Sequence, residues 1–211
     1  MKISLINAGK RFNRDWIFRN IHYEFTTGNA YAITGPNGSG KSTLLQVIGG
    51  AIALSEGKVE YEGTSEKPAP ENYYQYISIA APYLEVIEEM TVTEFLQFHR
   101  QFKPFLPGMD SKKIIDTIGL NASAHKQIRF YSSGMKQRVR LAQAIFSDVP
   151  CVLLDEPCSN LDVEGIKLYQ QLVNDYCKER LVIVSSNDEQ EYGFCNNKLS
   201  ILDYKTVVPR L

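Results

Sequence analysis

The stretch GPNGSGKST at residues 35–43 constrains this chain more than any other feature of its 211 residues. A strand-like apolar run, AYAIT (30–34), stands directly before it, and a segment patterned as a helix from Lys41 to about Ile52 stands directly after. A glycine-rich turn between strand and helix points backbone N–H groups inward around an anion, and the positive end of the helix dipole falls on the same spot. The spacing G-x-x-x-x-G-K-[ST] in that context reads as a loop that cradles the phosphates of a nucleoside triphosphate. The expected nucleotide-binding residues are Gly35, Pro36, Asn37, Gly38, Ser39, Gly40, Lys41, Ser42 and Thr43. Lys41 is expected on the β- and γ-phosphates and the Ser42 hydroxyl on Mg²⁺.

The remainder alternates between apolar strands and amphipathic helices. Strands are predicted at 2–7, 21–25, 30–34, 57–63 (an edge strand), 75–80, 151–155, 181–186 and 198–203. Residues 66–72 read as a polar loop. From Pro82 to about Phe130 the pattern turns helical; Val92, Phe95, Leu96 and His99 share one helix face, and a second helix over 111–120 is closed by Gly119. Further helices are predicted at 133–146 and 163–178. This pattern implies an α/β fold of the P-loop NTPase class: a mainly parallel sheet covered on both faces, an N-terminal antiparallel β part and an inserted α-helical subdomain. The expected division is an ATPase core at 1–81 and 147–211, with the helical subdomain at about 82–146.

A net charge of −1 gives no electrostatic case for a nucleic-acid partner. Cys151, Cys158, Cys177 and Cys195 are too scattered for a metal site and read as reduced thiols. No stretch approaches the ~18 apolar residues of a membrane span, and the N-terminus shows no signal core, so a cytoplasmic chain is expected.

CVLLDEP (151–157) ends a buried strand in two carboxylates. Asp155 is expected to orient Mg²⁺ from the C-terminal end of the strand, where α/β sheets place ligands, and Glu156 to accept a proton from the attacking water.

Between these motifs lies FYSSGMKQRVRLAQAIF (130–146). Ser133 and Gly134 are expected to open a helix whose free N–H groups form a second anion site, with Met135, Val139, Ala142 and Phe146 on its buried face. Here the sequence resembles the ATP-binding subunit of ABC transporters, which carries a serine-glycine signature at this place. YSSGM (131–135) is a variant of it, SNLD (159–162) matches the family's D-loop, and the resemblance runs from about residue 2 to 203. It implies that Ser132, Ser133, Gly134 and Met135 contact the ATP of a partner subunit, that Asp162 helps couple the two sites, and that an aromatic residue, Phe12 or Trp16, stacks on adenine. It also implies a dimer of two such subunits, formed with a second copy or a related chain.

Two positions depart from the family pattern. Where the family has a metal-contacting glutamine after the 75–80 strand, this chain has Ala81 or Pro82; where a histidine follows the 181–186 strand, it has Asn187. An asparagine can donate one hydrogen bond to a γ-phosphate oxygen but cannot carry the positive charge of a histidine. Slow Mg²⁺-dependent ATP hydrolysis is therefore expected, with Glu156 and Asn187 as the catalytic pair. YLEVIEEM (83–90) is expected to dock a basic-flanked helix of a transmembrane permease through Tyr83, Leu84 and Ile87, ringed by Glu85, Glu88 and Glu89, placing the protein on the inner face of the cell membrane. Only eight residues follow Asp203, and with SSGMKQR this suggests an export-type subunit. The other readings are a binding-only ATP switch and a non-transport ABC ATPase.

Overall fold

The computed structural model describes residues 1–63 and 70–205, so most of the predicted 66–72 loop lies outside the described residues. The chain opens with a long hairpin, β1 (Lys2–Phe12) and β2 (Asp15–Thr26), joined on the far side of β1 by β4 (Glu56–Glu62) in an antiparallel sheet of order β2-β1-β4. Both hairpin strands outrun the predicted 2–7 and 21–25. Asn7 and Asn20 adopt positive φ, and the β1–β2 register shifts between Leu5 and Ala8. Such bulges break the period-two pattern without ending the strand.

The second sheet is parallel throughout, in the order β5-β6-β7-β3-β8. Its strands are β3 (Ala30–Thr34), β5 (Ile77–Ala80), β6 (Cys151–Asp155), β7 (Leu181–Ser185) and β8 (Asn197–Ser200). Side-chain alternation divides the core in two. Cys151, Leu153, Leu181 and Ile183 face helix α1 (Lys41–Ile48) and the antiparallel sheet, whereas Val152, Leu154, Val182 and Val184 face the helices on the other side. Covering both faces is what makes these strands continuously apolar.

Several predicted boundaries move: the 75–80 strand begins only at Ile77 and the 111–120 helix stops at Thr117. Helix α1 stops at Ile48 rather than Ile52, because Gly49 and Gly50 follow and Gly50 takes φ 74°. Strand β8 ends at Ser200, and Ile201–Tyr204 winds into a 3₁₀ turn that buries Ile201 beneath the phosphate loop. The helical block begins not at Pro82 but at α2 (Val92–Arg100), which Thr91 and Glu94 close with a reciprocal capping box. Upstream of it the carbonyls of Glu88 and Met90 accept from Arg129 N–H and Ile128 N–H, so 88–91 pairs with a distant segment instead of coiling.

Helices α2, α3 (Ser111–Thr117) and α4 (Ser133–Ile145) share one apolar cluster with α5 (Val163–Tyr176), and the short α6 (Glu189–Tyr192) follows β7. A mainly parallel sheet flanked by helices, with an antiparallel β part and helices inserted between β5 and β6, is the predicted architecture. The four cysteines are free and buried. Among the described residues no helix is long and apolar enough to cross a membrane, and no cluster of potential metal ligands of the His/Cys/Asp/Glu type occurs.

Candidate nucleotide site

The loop between β3 and α1 can only be built with glycine at its tightest points. Gly40 has φ 101°, and a Cβ there would stand 2.3 Å from Ile17 Cγ2; Gly35 has φ 148°, with Ile201 Cγ2 2.7 Å from the same virtual atom. Lys41 is only 4% exposed, and its ammonium donates to the carbonyls of Gly35 (2.9 Å) and Pro36 (3.2 Å), folded back over the loop it would share with phosphate. Helix α1 has no side-chain cap at Gly40, and the Ser39 hydroxyl is buried with no hydrogen-bond partner among the described residues. Uncapped N–H groups, a hydroxyl free to donate and a buried cation together suit an anion.

The carboxylates lie at the same edge of the sheet. Register aligns Ile33 of β3 with Ser185 of β7, and Ser185 with Asp155 of β6, so Asp155 ends its strand level with the start of the phosphate loop. Asp155 is 1% exposed and its Oδ1 has no hydrogen-bond partner among the described residues. A buried carboxylate oxygen without a donor is costly unless a cation completes it. Together with the Ser42 hydroxyl, such an oxygen suits the hard, oxygen-preferring Mg²⁺. Glu156 sits in left-handed backbone, φ 42°, fixed by its N–H donating to Ser185 O at 2.9 Å. Non-glycine residues hold that conformation only where their surroundings impose it.

Two buried polar residues that the sequence reading passed over brace this turn. Gln137 of α4 donates to Pro157 O at 2.8 Å, and Glu191 of α6 accepts from Cys158 N–H at 2.7 Å. Burial, the largest influence on Glu191, pushes its carboxyl above the usual carboxylate range. Gln137 carries a readable signal, a polar residue heading the buried stripe Leu141–Ala144–Ile145. Glu191 carries none, because its partner lies in a different loop.

Asn187 faces the phosphate loop. Its Nδ2 donates to Asn37 Oδ1 at 3.2 Å, bringing together two predicted site residues from opposite ends of the chain. Ala81 is fully buried and Pro82 is exposed, and neither offers a side-chain donor or acceptor. The next residue, Tyr83, is half exposed. Burial, with the Asp155 charge added, pushes its phenol up to about 12.

The signature residues stand apart from the phosphate loop. Helix α4 begins at Ser133 as expected, with Ser132 as its N-cap accepting from Met135 N–H at 3.3 Å. A cavity of about 460 Å³ brings Ser132, Ser133, Gly134 and Met135 together with Asn160 and Asp162, and none of residues 35–43 lines it. Gly134 lies against the loop at 159–162, with Asn160 O 3.0 Å from where a Cβ would sit. Asp162 is engaged locally: it caps α5 by accepting from Gly165 N–H at 2.8 Å and stands 3.8 Å from Arg138. Of the buried face predicted for α4, Val139, Ala142 and Phe146 are fully enclosed, while Met135 is half-buried beside the cluster.

Phe12 lies at the hairpin tip, 46% exposed, with the Lys10 ammonium over its ring. Trp16 instead packs between the Arg11 and Arg19 guanidiniums. In the 83–90 segment Tyr83 and Ile87 are exposed, but Glu88 is paired with Lys136 at 2.5 Å and Glu89 with Arg129 at 3.8 Å. The expected ring of acids is thus partly neutralised from within.

A profile described as "ABC transporter" matches residues 18–159, more than half of the chain. The cytochrome c biogenesis ATP-binding export protein CcmA of Rhizobium meliloti (strain 1021) is 30% identical over 202 residues, covering 94% of this chain and 96% of that protein. Among solved structures, a putative ABC transporter ATP-binding protein from Pyrococcus furiosus superposes with a TM-score of 0.82 at 20% identity, covering 98% of this chain and 100% of that one. A dimeric ATP-binding cassette, MJ0796, in a post-hydrolysis state with ADP and Pi superposes with a TM-score of 0.80 at 22% identity, covering 94% and 93%.

Proposed function

The chain belongs to the ABC transporter family, as an ATP-binding subunit, and from that premise we propose that it hydrolyses ATP to power an export-type membrane permease. The observation that carries this reading is the shared sheet edge. The phosphate loop, the buried and unpartnered Asp155 oxygen, the constrained Glu156 and the asparagine pair Asn37–Asn187 all converge there.

Lys41, released from the Gly35 and Pro36 carbonyls, would bind the β- and γ-phosphates together with the loop's N–H groups. Mg²⁺, held by Ser42 and Asp155, would draw off charge from the phosphates. Glu156 would orient the attacking water and take its proton. Asn187, released from Asn37, would donate to the γ-phosphate. Phe12, exposed at the hairpin tip, would stack on adenine, since the Arg11 and Arg19 guanidiniums already lie against the Trp16 ring.

Residues 132–135 and the Asp162 loop would form a second half-site that shares no residue with the phosphate loop. Each chain thus carries both complementary halves, and two copies would complete two sites. We read residues 82–146 as the subdomain that presents the signature half. The Rhizobium relative, named as an export protein, supports the export assignment. The permease would dock at Tyr83–Met90, holding the protein on the inner face of the membrane.

The test is phosphate release from ATP by the purified chain beside Glu156→Gln and Asn187→His. A lost or weakened transition-state donor lowers rates by about 10²–10³. The natural chain should therefore turn over slowly, Glu156→Gln should be inactive, and Asn187→His should be faster. No turnover by the natural chain, with ATP bound tightly, would replace this reading by an ATP-gated clamp.

A further inference from the structure

Another cavity, of about 540 Å³, opens at the end of the parallel sheet opposite the phosphate loop. Ala30 at the start of β3, its register partner Val182 of β7, the last turns of α5 and the segment from α6 to Phe194 enclose it. None of residues 35–43, 155, 156 or 187 lines it. Its size is that of a small-molecule site, and its chemistry is set by Arg180. This side chain is 8% exposed and donates to the carbonyls of Ile145 (2.6 Å), Ser147 (2.9 Å) and Tyr176 (2.7 Å) and to Cys177 Sγ (3.1 Å). All of these bonds use the Nη atoms. Among the described residues Nε is buried without a partner, and no carboxylate pairs with the guanidinium. The carbonyls tie the ends of α4 and α5 together through this cation, but they leave its charge uncompensated, and a buried charge is costly until an opposite one meets it.

The rest of the wall points the same way. Lys178 adds an exposed cation, and the acid on the wall, Glu189, already lies 3.7 Å from the Lys198 ammonium. Val173, Val182 and Phe194 supply apolar surface. From this arrangement we propose that the cavity is a binding site for a small organic anion, a carboxylate on an apolar body. Arg180 and Lys178 meet the charge, and Val173, Val182 and Phe194 meet the body. A hydrogen bond between a guanidinium and a carboxylate is roughly twice as strong as a neutral one, so the charge decides which molecules are held. The exposed amides of Gln170 and Asn174 can donate or accept at the rim, which suits hydroxyl or carbonyl groups on the ligand. Neither ATP nor a second copy of the chain is needed to complete the site.

The probes are 2-naphthylacetate and 2-naphthylacetamide, alike in shape and unlike in charge. Saturation-transfer NMR with the full, nucleotide-free chain measures the dissociation constant of each. The carboxylate should bind at least about tenfold more tightly than the amide, the worth of one hydrogen bond to a charged group. Arg180 also ties α4 to α5, so replacing it would mix binding with folding; the variants are therefore placed at exposed residues of the wall. Lys178→Glu should weaken the carboxylate by about fivefold, as reversal of an exposed charge does, and leave the amide unchanged. Asn174→Trp, which puts a large ring into the opening, should remove both probes while the melting temperature stays as in the natural chain. Equal affinity for the two probes overturns the proposal, as does no binding of either at millimolar concentration. Carboxylate binding untouched by Asn174→Trp overturns it too, since the probe would then sit elsewhere.

Discussion

Glu191 illustrates how single buried groups set the geometry of the candidate catalytic turn. Its carboxylate caps Cys158 N–H, two residues beyond Glu156, and its backbone carbonyl accepts from the buried Tyr169 hydroxyl. Replacing it by alanine would leave a buried N–H unpaired, a loss of about 1–3 kcal/mol. Urea denaturation should show that loss for Glu191→Ala, and far less for Glu191→Gln, which keeps an acceptor oxygen in place. Equal effects of the two substitutions would mean that charge, not the acceptor, matters here. Lys41 belongs at the same scale. Lys41→Ala should abolish measurable ATP binding without lowering the melting temperature of the nucleotide-free chain, because its native hydrogen bonds go only to loop carbonyls.

At the scale of elements, His99 ties α2 to the segment after α4. Its Nε2 lies 2.9 Å from the Ser147 hydroxyl, and burial, with Lys103 nearby, lowers its pKa to about 4. Unfolded, the imidazole takes its proton near pH 6.5, so between those values the unfolded chain binds more protons and stability falls as pH drops. Between pH 7 and 5 the loss from this residue should be about 1–2 kcal/mol after allowing for its partial exposure. Urea midpoints at the two pH values should separate less in His99→Gln than in the natural chain. The elements also show what a sequence can and cannot disclose. The phosphate loop and the Asp155–Glu156 pair were legible because their chemistry lies in consecutive residues on a strand end. The Asn37–Asn187 contact was not, since it depends on which loops the parallel sheet brings to one edge. Strand ends blurred at Asn7 and Asn20 because bulges interrupt alternation while pairing continues. The signature helix was placed to within a residue, but a serine pair leaves open which hydroxyl caps; the Ser132 bond to Met135 N–H settles it.

For the whole molecule, the decisive feature is that the two halves of the proposed site are lined by separate sets of residues. The cavity at Ser132–Met135 shares no residue with the phosphate loop, while Val163, directly after Asp162, is left exposed. Permease docking belongs to this scale too. Glu88 and Glu89 already hold Lys136 and Arg129, so reversing their charge would disturb α4 as well as any partner. Glu85→Lys is the cleaner change and should weaken assembly with the permease in reconstituted membranes. The account turns, however, on two copies completing each other's sites. Sedimentation velocity of the Glu156→Gln chain with saturating ATP tests this most directly, beside the same chain carrying Gly134→Glu. Gly134 packs against Asn160 O, and a carboxylate there would fill the half-site that a second nucleotide must enter. The account predicts an ATP-dependent dimer that the Gly134→Glu substitution abolishes while ATP still binds. A Glu156→Gln chain that stays monomeric with ATP bound, or a dimer indifferent to Gly134→Glu, would contradict it.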